Sequence, residues 1–197
     1  MTRARIQDVA LALFATRGYD ATSRQQIATA LAVTKAALHY RVPFKAALLH
    51  SLVGPFLDAE RTLIVGYGAR PLDTTARPLD TTARREVLRA LIDLLLAYRP
   101  IVARLTRDLA ALAQPGIGAR VAENADRLQR LLVGAGTDGA GQVRAAAAVG
   151  ALTRPFAVLP ELDLGALRDT VAAATLGALG AEEGAACYRH RSPAPAG

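Results

Sequence analysis

Five side chains with the chemistry of recognition fall between residues 34 and 40 of the stretch ATSRQQIATALAVTKAALHYRV (21–42): Thr34, Lys35, Ala36, His39 and Tyr40. Helical spacing turns them outward if Ile27, Ala28, Leu31, Val33, Ala37 and Leu38 form the inner face. An ammonium reaches a phosphate oxygen or a guanine edge. Thr and Ala meet a thymine methyl, and Tyr or His hydrogen-bonds to phosphate. Such a set suits the reading of a duplex, and a compact helical hairpin with a mixed solvent face would carry it as well.

Elsewhere the chemistry is sparse. His39, His50 and His190 have no metal-ligand spacing to one another or to the single Cys187. No Ser/His/Asp or paired-carboxylate constellation stands out, so no catalytic residue, metal or cofactor is assigned. GAGTDG (134–139) matches the dinucleotide fingerprint letter for letter. That chemistry needs a preceding strand to aim backbone amides at a pyrophosphate, and the residues before it are helical. It reads as an inter-helix loop.

Charge singles out the same end of the chain. The net charge is +7. Residues 1–50 hold seven Lys/Arg against Asp8 and Asp20, so the excess is N-terminal. Both lysines of the chain, Lys35 and Lys45, lie there. Concentrated positive charge suits a polyanion such as nucleic acid. No apolar run approaches the ~18–20 residues that cross a bilayer. VALALFA (9–15) lacks a small-residue cleavage motif and fits an amphipathic helix better than a signal peptide. A lone cysteine fits a reducing cytosol, and the protein is expected in the cytoplasm.

The elements that position the set are helical. Ile6, Val9, Ala10, Leu13 and Phe14 share one face, and Gly18 follows Arg17 as a stop. Thr22 with Gln25 forms a capping box for a second helix, and Thr34 caps a third. Pro43 separates that from a long fourth helix, from Lys45 to about Val65, ended by Gly66 and Gly68. The tandem heptad PLDTTARPLDTTAR (71–84) reads as a duplicated linker leading into a helix cap. Further helices follow from Val87, Leu88, Leu91, Ile92 and Leu95, then from Ile101, Val102, Leu105, Leu109 and Leu112, then from Val121 to Leu132. A last pair spans roughly 140–158 and 164–179, the second capped by Asp163. Strand alternation is nowhere sustained, so the fold class is all-α.

Residues 5–49 resemble the N-terminal DNA-binding domain of TetR-type transcriptional repressors. The matching features are a first helix ending F-A-x-R-G-Y, the A-T-S lead-in to the second, I-A-x-x-L-x-V-T-K-A-A-L, and P-x-K-x-A-L-L opening the fourth. The resemblance implies a helix-turn-helix domain at 1–47 and a helical ligand-binding and dimerisation domain at 48–180, while the small, polar, Pro-containing composition of 181–197 predicts a disordered tail. It implies a homodimer joined through the last two helices of each subunit, a double-stranded operator, and release when a cavity fills. Carried over by position, Thr34, Lys35, Ala36, His39 and Tyr40 fall on the recognition helix. Thr22, Ser23 and Lys45 fall where the family contacts phosphate. Small residues in AAAAVGAL (145–152) and VAAATLGAL (171–179) suggest Ala148, Leu152, Val171 and Ala174 for the dimer interface.

Pocket candidates are Phe56, Tyr67, Tyr98, Arg104, Asp108 and Phe156, for a mainly apolar small effector, plausibly aromatic or polyketide-like. Four positions depart from the family pattern: His39 for Tyr, Val42 for Phe, Ala32 for the turn Gly and Phe44 for a small polar cap. Ala32 is tolerable if it avoids positive φ. Phe44 and Val42 would exchange an aromatic anchor across Pro43. Two other function classes stay open on the residues alone: a helical protein-interaction or scaffold module, and a small helical enzyme.

Overall fold

The computed structural model describes residues 2–69, 79–105, 107–134, 136–159 and 161–180, with the backbone alone at Arg104 and Leu105. Ten helices and no strand occupy the described residues. No helix among them is long and apolar enough to cross a membrane.

Helix α1 (Arg3–Arg17) buries Ile6, Ala10 and Phe14, four residues apart, and closes on Gly18 at φ 87°. Helix α2 (Arg24–Ala30) is capped one residue later than the pattern suggests. Ser23 Oγ accepts the Gln26 N–H at 3.2 Å, and Gln26 Oε1 accepts the Ser23 N–H at 2.7 Å. Thr22 and Gln25 offer the same spacing, but Thr22 is fully buried. Its hydroxyl is engaged by the carbonyls of Gly18 (2.8 Å) and Leu13 (3.3 Å). Burial of this β-branched side chain sets the register, and Ser23 inherits the cap.

Helix α3 (Lys35–Arg41) is capped by Thr34, whose Oγ1 accepts the Ala37 N–H at 3.1 Å. Only Leu38 is buried on it; Ala37, expected inward, is exposed. On seven residues resting against α2, the buried stripe is one side chain wide.

Helix α4 (Lys45–Gly68) runs through Gly66 and ends at Gly68, three residues beyond Val65. A helical Gly costs about 1 kcal/mol, and a buried stripe that includes Val53, Phe56, Leu57 and Ile64 outweighs it. Pro55 lies inside this helix. It has no N–H for the carbonyl of Ser51, four residues back. Gln7 Nε2 of α1 donates to that carbonyl at 3.1 Å instead, which ties α1 to α4 at the point where the ladder is broken.

Helix α5 (Thr81–Ala97) is capped by Asp80, which accepts the Ala83 N–H at 2.8 Å. The second PLDTTAR copy thus leads into a helix as expected, while residues 70–78 lie outside the described residues. Val87, Leu88, Leu91, Ile92 and Leu95 are all buried on α5. The continuous helix expected over 101–112 is instead two, α6 (Arg99–Leu105) and α7 (Leu109–Leu112). Asp108 breaks it by capping α7, and Leu109 is left 80% exposed.

Helix α8 (Ile117–Val133) ends at Gly134, and Asp138 caps α9 (Gly139–Val158), so GAGTDG is a connection between helices. Helix α10 (Arg168–Ala178) starts later than expected. Asp163 accepts the N–H groups of Gly165 and Ala166 and so caps a preceding turn. Helices α4, α5, α8, α9 and α10 pack around one core, with α1–α3 at one end against α4 and α6. Residues 181–197, including Cys187 and His190, lie outside the described residues.

Candidate nucleic-acid interface and internal cavity

The turn between α2 and α3 is closed by the Val33 N–H on the Ala28 carbonyl at 3.0 Å. Ala32 takes φ 55°, the one non-glycine residue at positive φ among those described. The condition set by the sequence therefore fails, and the turn carries strain. Left-handed backbone costs a residue with a Cβ about 1–2 kcal/mol. Glycine would relieve this but return some entropy to the unfolded chain. Ala32→Gly should therefore stabilise the protein by about 0.5–1 kcal/mol, read as a rise in Tm; a fall in Tm would show that the turn is unstrained.

On this scaffold Thr34, Lys35, Ala36, His39 and Tyr40 are all exposed, Tyr40 at 91%. Arg24, which sequence reasoning missed, orders them. Its Nη1 lies 2.9 Å from His39 Nδ1 and also donates to the Pro43 carbonyl. A guanidinium only donates, so Nδ1 must accept, and the imidazole proton sits on Nε2. His39 therefore offers a donor outward, suited to an acceptor such as guanine N7 or O6. Arg24 sits at the first position of α2 and is legible as a cation, but its partner fifteen residues away is not.

Ser23 is exposed as α2's cap. Thr22 faces the core, contrary to the phosphate contact expected for it. Lys45 is half-buried: its Nζ donates to the carbonyls of Tyr19 (2.8 Å) and Asp20 (3.4 Å) and lies 4.1 Å from the Tyr19 ring centroid. It clamps the α1–α2 loop to α4. Phe44 is 67% exposed and Val42 half-buried, so no aromatic anchor has been exchanged across Pro43.

Tyr19 joins both ends of the molecule. Its ring packs on Phe14 at 5.3 Å between centroids. Its N–H donates to Asp108 Oδ2 at 2.7 Å, and its hydroxyl to Gln114 Oε1 at 3.3 Å. Asp108, expected in the pocket, is thus a buried cap and crosslink.

A cavity of about 160 Å³ lies among α4–α9, lined by apolar side chains that include Phe56, Leu95, Val102, Val121, Leu128 and Val149, together with Glu60 and Thr153. Of the five expected pocket residues whose side chains are described, only Phe56 lines it. Tyr98 packs on Phe56 from behind, at 5.6 Å between centroids, and Phe156 is fully buried in the core. Tyr67 is partly buried at the core's edge, and the Arg104 side chain lies outside the described residues.

Glu60 was missed, although it stands in the apolar stripe Val53, Phe56, Leu57, Ile64 at helical spacing. Asn124, equally out of place on the inner face of α8, is 3% exposed. It donates to the Leu57 carbonyl (3.0 Å) and to Glu60 Oε2 (2.8 Å). Burial pushes the Glu60 carboxyl above its ordinary range, and the Asn124 hydrogen bond opposes this more weakly.

On the last two helices, Ala148, Leu152 and Val171 are buried in the chain's own core, contrary to the interface expected for them. Ala174 points outward, and with it Val143, Ala146, Ala147, Gly150 and Ala173. Nothing lies within 4 Å of where a Gly150 Cβ would be. Val143, 70% exposed, is the one large side chain among these otherwise small outward residues of α9 and α10.

Residues 6–52 match the model of the tetR family of bacterial regulatory proteins. Comparison with the curated proteins yields no match. Solved structures with the same fold include AmtR of Mycobacterium smegmatis, with a TM-score of 0.69 and 19% identity over 93% of this chain and 88% of that one. PfmR of Thermus thermophilus has a TM-score of 0.63 and 21% identity over 91% and 99%. AibR, solved with isovaleryl coenzyme A and operator DNA, has a TM-score of 0.64 and 23% identity over 91% and 98%. At these identities the likeness is one of fold.

Proposed function

We propose that the chain, whose residues 6–52 match the model of the tetR family of bacterial regulatory proteins, is a helix-turn-helix transcriptional regulator rather than an enzyme, and that it acts as a cytoplasmic repressor. It binds a palindromic operator as a homodimer and leaves it when a small ligand fills the internal cavity. Residues 1–47 serve DNA and residues 48–180 serve ligand and dimer, with α4 crossing the boundary. The observation that carries the reading is the exposed α3 face of Thr34, Lys35, Ala36, His39 and Tyr40, raised on a capped two-helix scaffold. Lys35 and Ser23 meet phosphate, while His39 reads a base edge through Nε2. Thr22 and Lys45 are left out of this set, since their polar atoms are turned to the protein's own carbonyls.

The ligand half rests on the cavity. AibR, of the same fold, was solved with a coenzyme A thioester and operator DNA together. A cavity of about 160 Å³ is far too small for such a thioester; an engineered space of about 150 Å³ holds benzene. The effector of this chain is therefore a compact, mostly apolar molecule. It acts by binding the DNA-incompetent arrangement better, and operator must weaken its binding by the same factor.

Selection of bound sequences from a random DNA pool tests the reading. Two recognition helices related by a two-fold axis should recover an inverted repeat with half-sites about one helical turn or more apart. His39→Ala should relax the preference at one position of each half-site, at about 1–3 kcal/mol per lost base contact. Asymmetric or unrelated sequences would refute the assignment, and an unchanged preference in His39→Ala would remove that residue from the reading set.

A further inference from the structure

The cavity wall is apolar except at Thr153 of α9, whose hydroxyl donates to the Val149 carbonyl at 2.8 Å, and where α4 and α8 face each other. There Glu60 presents a carboxyl into a space otherwise shaped by Phe56, Leu95, Val121 and Leu128. Asn124 occupies one oxygen, and no ion pair among the described residues engages the group. The arginines of the facing helix are committed elsewhere, Arg120 to Asp58 at 2.5 Å and Arg127 to Glu123 at 2.6 Å. A carboxylate in an apolar pocket without a cation is unfavourable, and a ligand cation is the partner its chemistry lacks. We propose that the cavity takes a compact lipophilic amine, its ammonium on the Glu60 carboxylate and its hydrocarbon body against the apolar wall.

Each part of the site selects one part of that ligand. The carboxylate rejects anions by charge and gains little from a neutral hydroxyl, which cannot offset its charge. Asn124 fixes the carboxylate by donating to Oε2 while its other N–H is held by the Leu57 carbonyl, so the free oxygen has a set direction. The volume admits about one ring and a short arm, comparable to spaces that hold benzene. Burial raises the carboxyl's pKa when the cavity is empty, and an arriving ammonium favours the ionised form.

This inference rests on the cavity being the ligand site proposed above, and its test separates the two. The full chain is titrated calorimetrically with benzylamine, benzyl alcohol, toluene and benzoate, in wild type, Glu60→Gln and Ala125→Leu. Benzylamine should bind the wild type at least about tenfold more tightly than the alcohol or toluene, the yield of one charge-assisted hydrogen bond, and benzoate should not bind. Glu60→Gln should lose that preference while still taking toluene, which shows that its cavity has folded. Ala125→Leu, which fills the space, should take none of the four. Equal binding of amine and alcohol, an amine preference that survives in Glu60→Gln, or no binding of any probe would each overturn the proposal. Operator release is read in parallel. Glu60-dependent amine binding with no effect on operator affinity leaves the amine class standing and sinks the effector role. Release by toluene at the same concentrations as by amine keeps the effector role and sinks the amine class.

Discussion

Ala174→Arg should give a folded monomer that no longer holds its operator, whereas Ala148→Glu should give a protein that does not fold. The two positions lie on the same pair of helices and in the same kind of small-residue run. Ala174 is exposed on α10, and an arginine there is solvated in the monomer. It becomes costly only where a second copy packs against it. Gly150 on α9 is likewise exposed, with nothing within 4 Å of where its Cβ would be, so Gly150→Arg should behave alike. A monomer keeps one recognition helix, and its affinity should fall from the specific range toward the non-specific one, about 10³-fold. Ala148 is 0% exposed within the chain's own core. An unpaired charge there costs several kcal/mol, comparable to the whole stability of a domain. Sedimentation, circular dichroism and operator titration distinguish the outcomes. A dimeric Ala174→Arg protein that binds operator as wild type does would move the interface off this face.

The contrast between these two alanines shows where sequence was sufficient and where it was not. Helix caps are local, so Thr34 and the outward α3 set were legible from a few residues, as was the α5 stripe from Val87 to Leu95. On α9 and α10 small residues populate both faces, so periodicity has no polar contrast to phase against: of the four residues it suggests for the interface, Ala148, Leu152 and Val171 face the core and Ala174 faces out. Thr22 and Ser23 present equivalent capping boxes, and only tertiary burial of Thr22 chooses between them. Glu60 and Asn124 were visible as polar intrusions in apolar stripes. Their meeting depends on how α4 packs on α8, across a separation of 64 residues that no local pattern encodes. Leu109 fits the helical period of α6, but Asp108 capping α7 ends that period early.

Asp108 carries the second large effect. Its carboxylate caps α7 through the Ala111 N–H at 3.1 Å and accepts the Tyr19 N–H at 2.7 Å. In Asp108→Ala the Tyr19 N–H is left buried without this acceptor and α7 without its cap. The two losses together should destabilise the protein by about 2–4 kcal/mol. The damage should not be uniform. Tyr19 also carries the carbonyl that holds Lys45, so the α1–α2 loop is gripped from α7 and from α4 through a single residue. Loosening one grip should free α1–α3 while leaving the core between α8 and α10 intact. Amide hydrogen exchange should therefore accelerate across residues 3–41 and stay near wild type in α9 and α10. Asp108→Asn keeps an oxygen for the Tyr19 N–H but loses the charge, so it should fall about halfway. Tyr19→Phe removes only the 3.3 Å bond to Gln114 and should change little. If Asp108→Ala slows or speeds exchange equally along the chain, the crosslink is an ordinary stabilising contact. If the acceleration is confined to α1–α3, the carboxylate ties that domain to α7, whose Leu112 lines the cavity, and a loss of ligand-induced operator release in Asp108→Ala would show that cavity and DNA are linked through it.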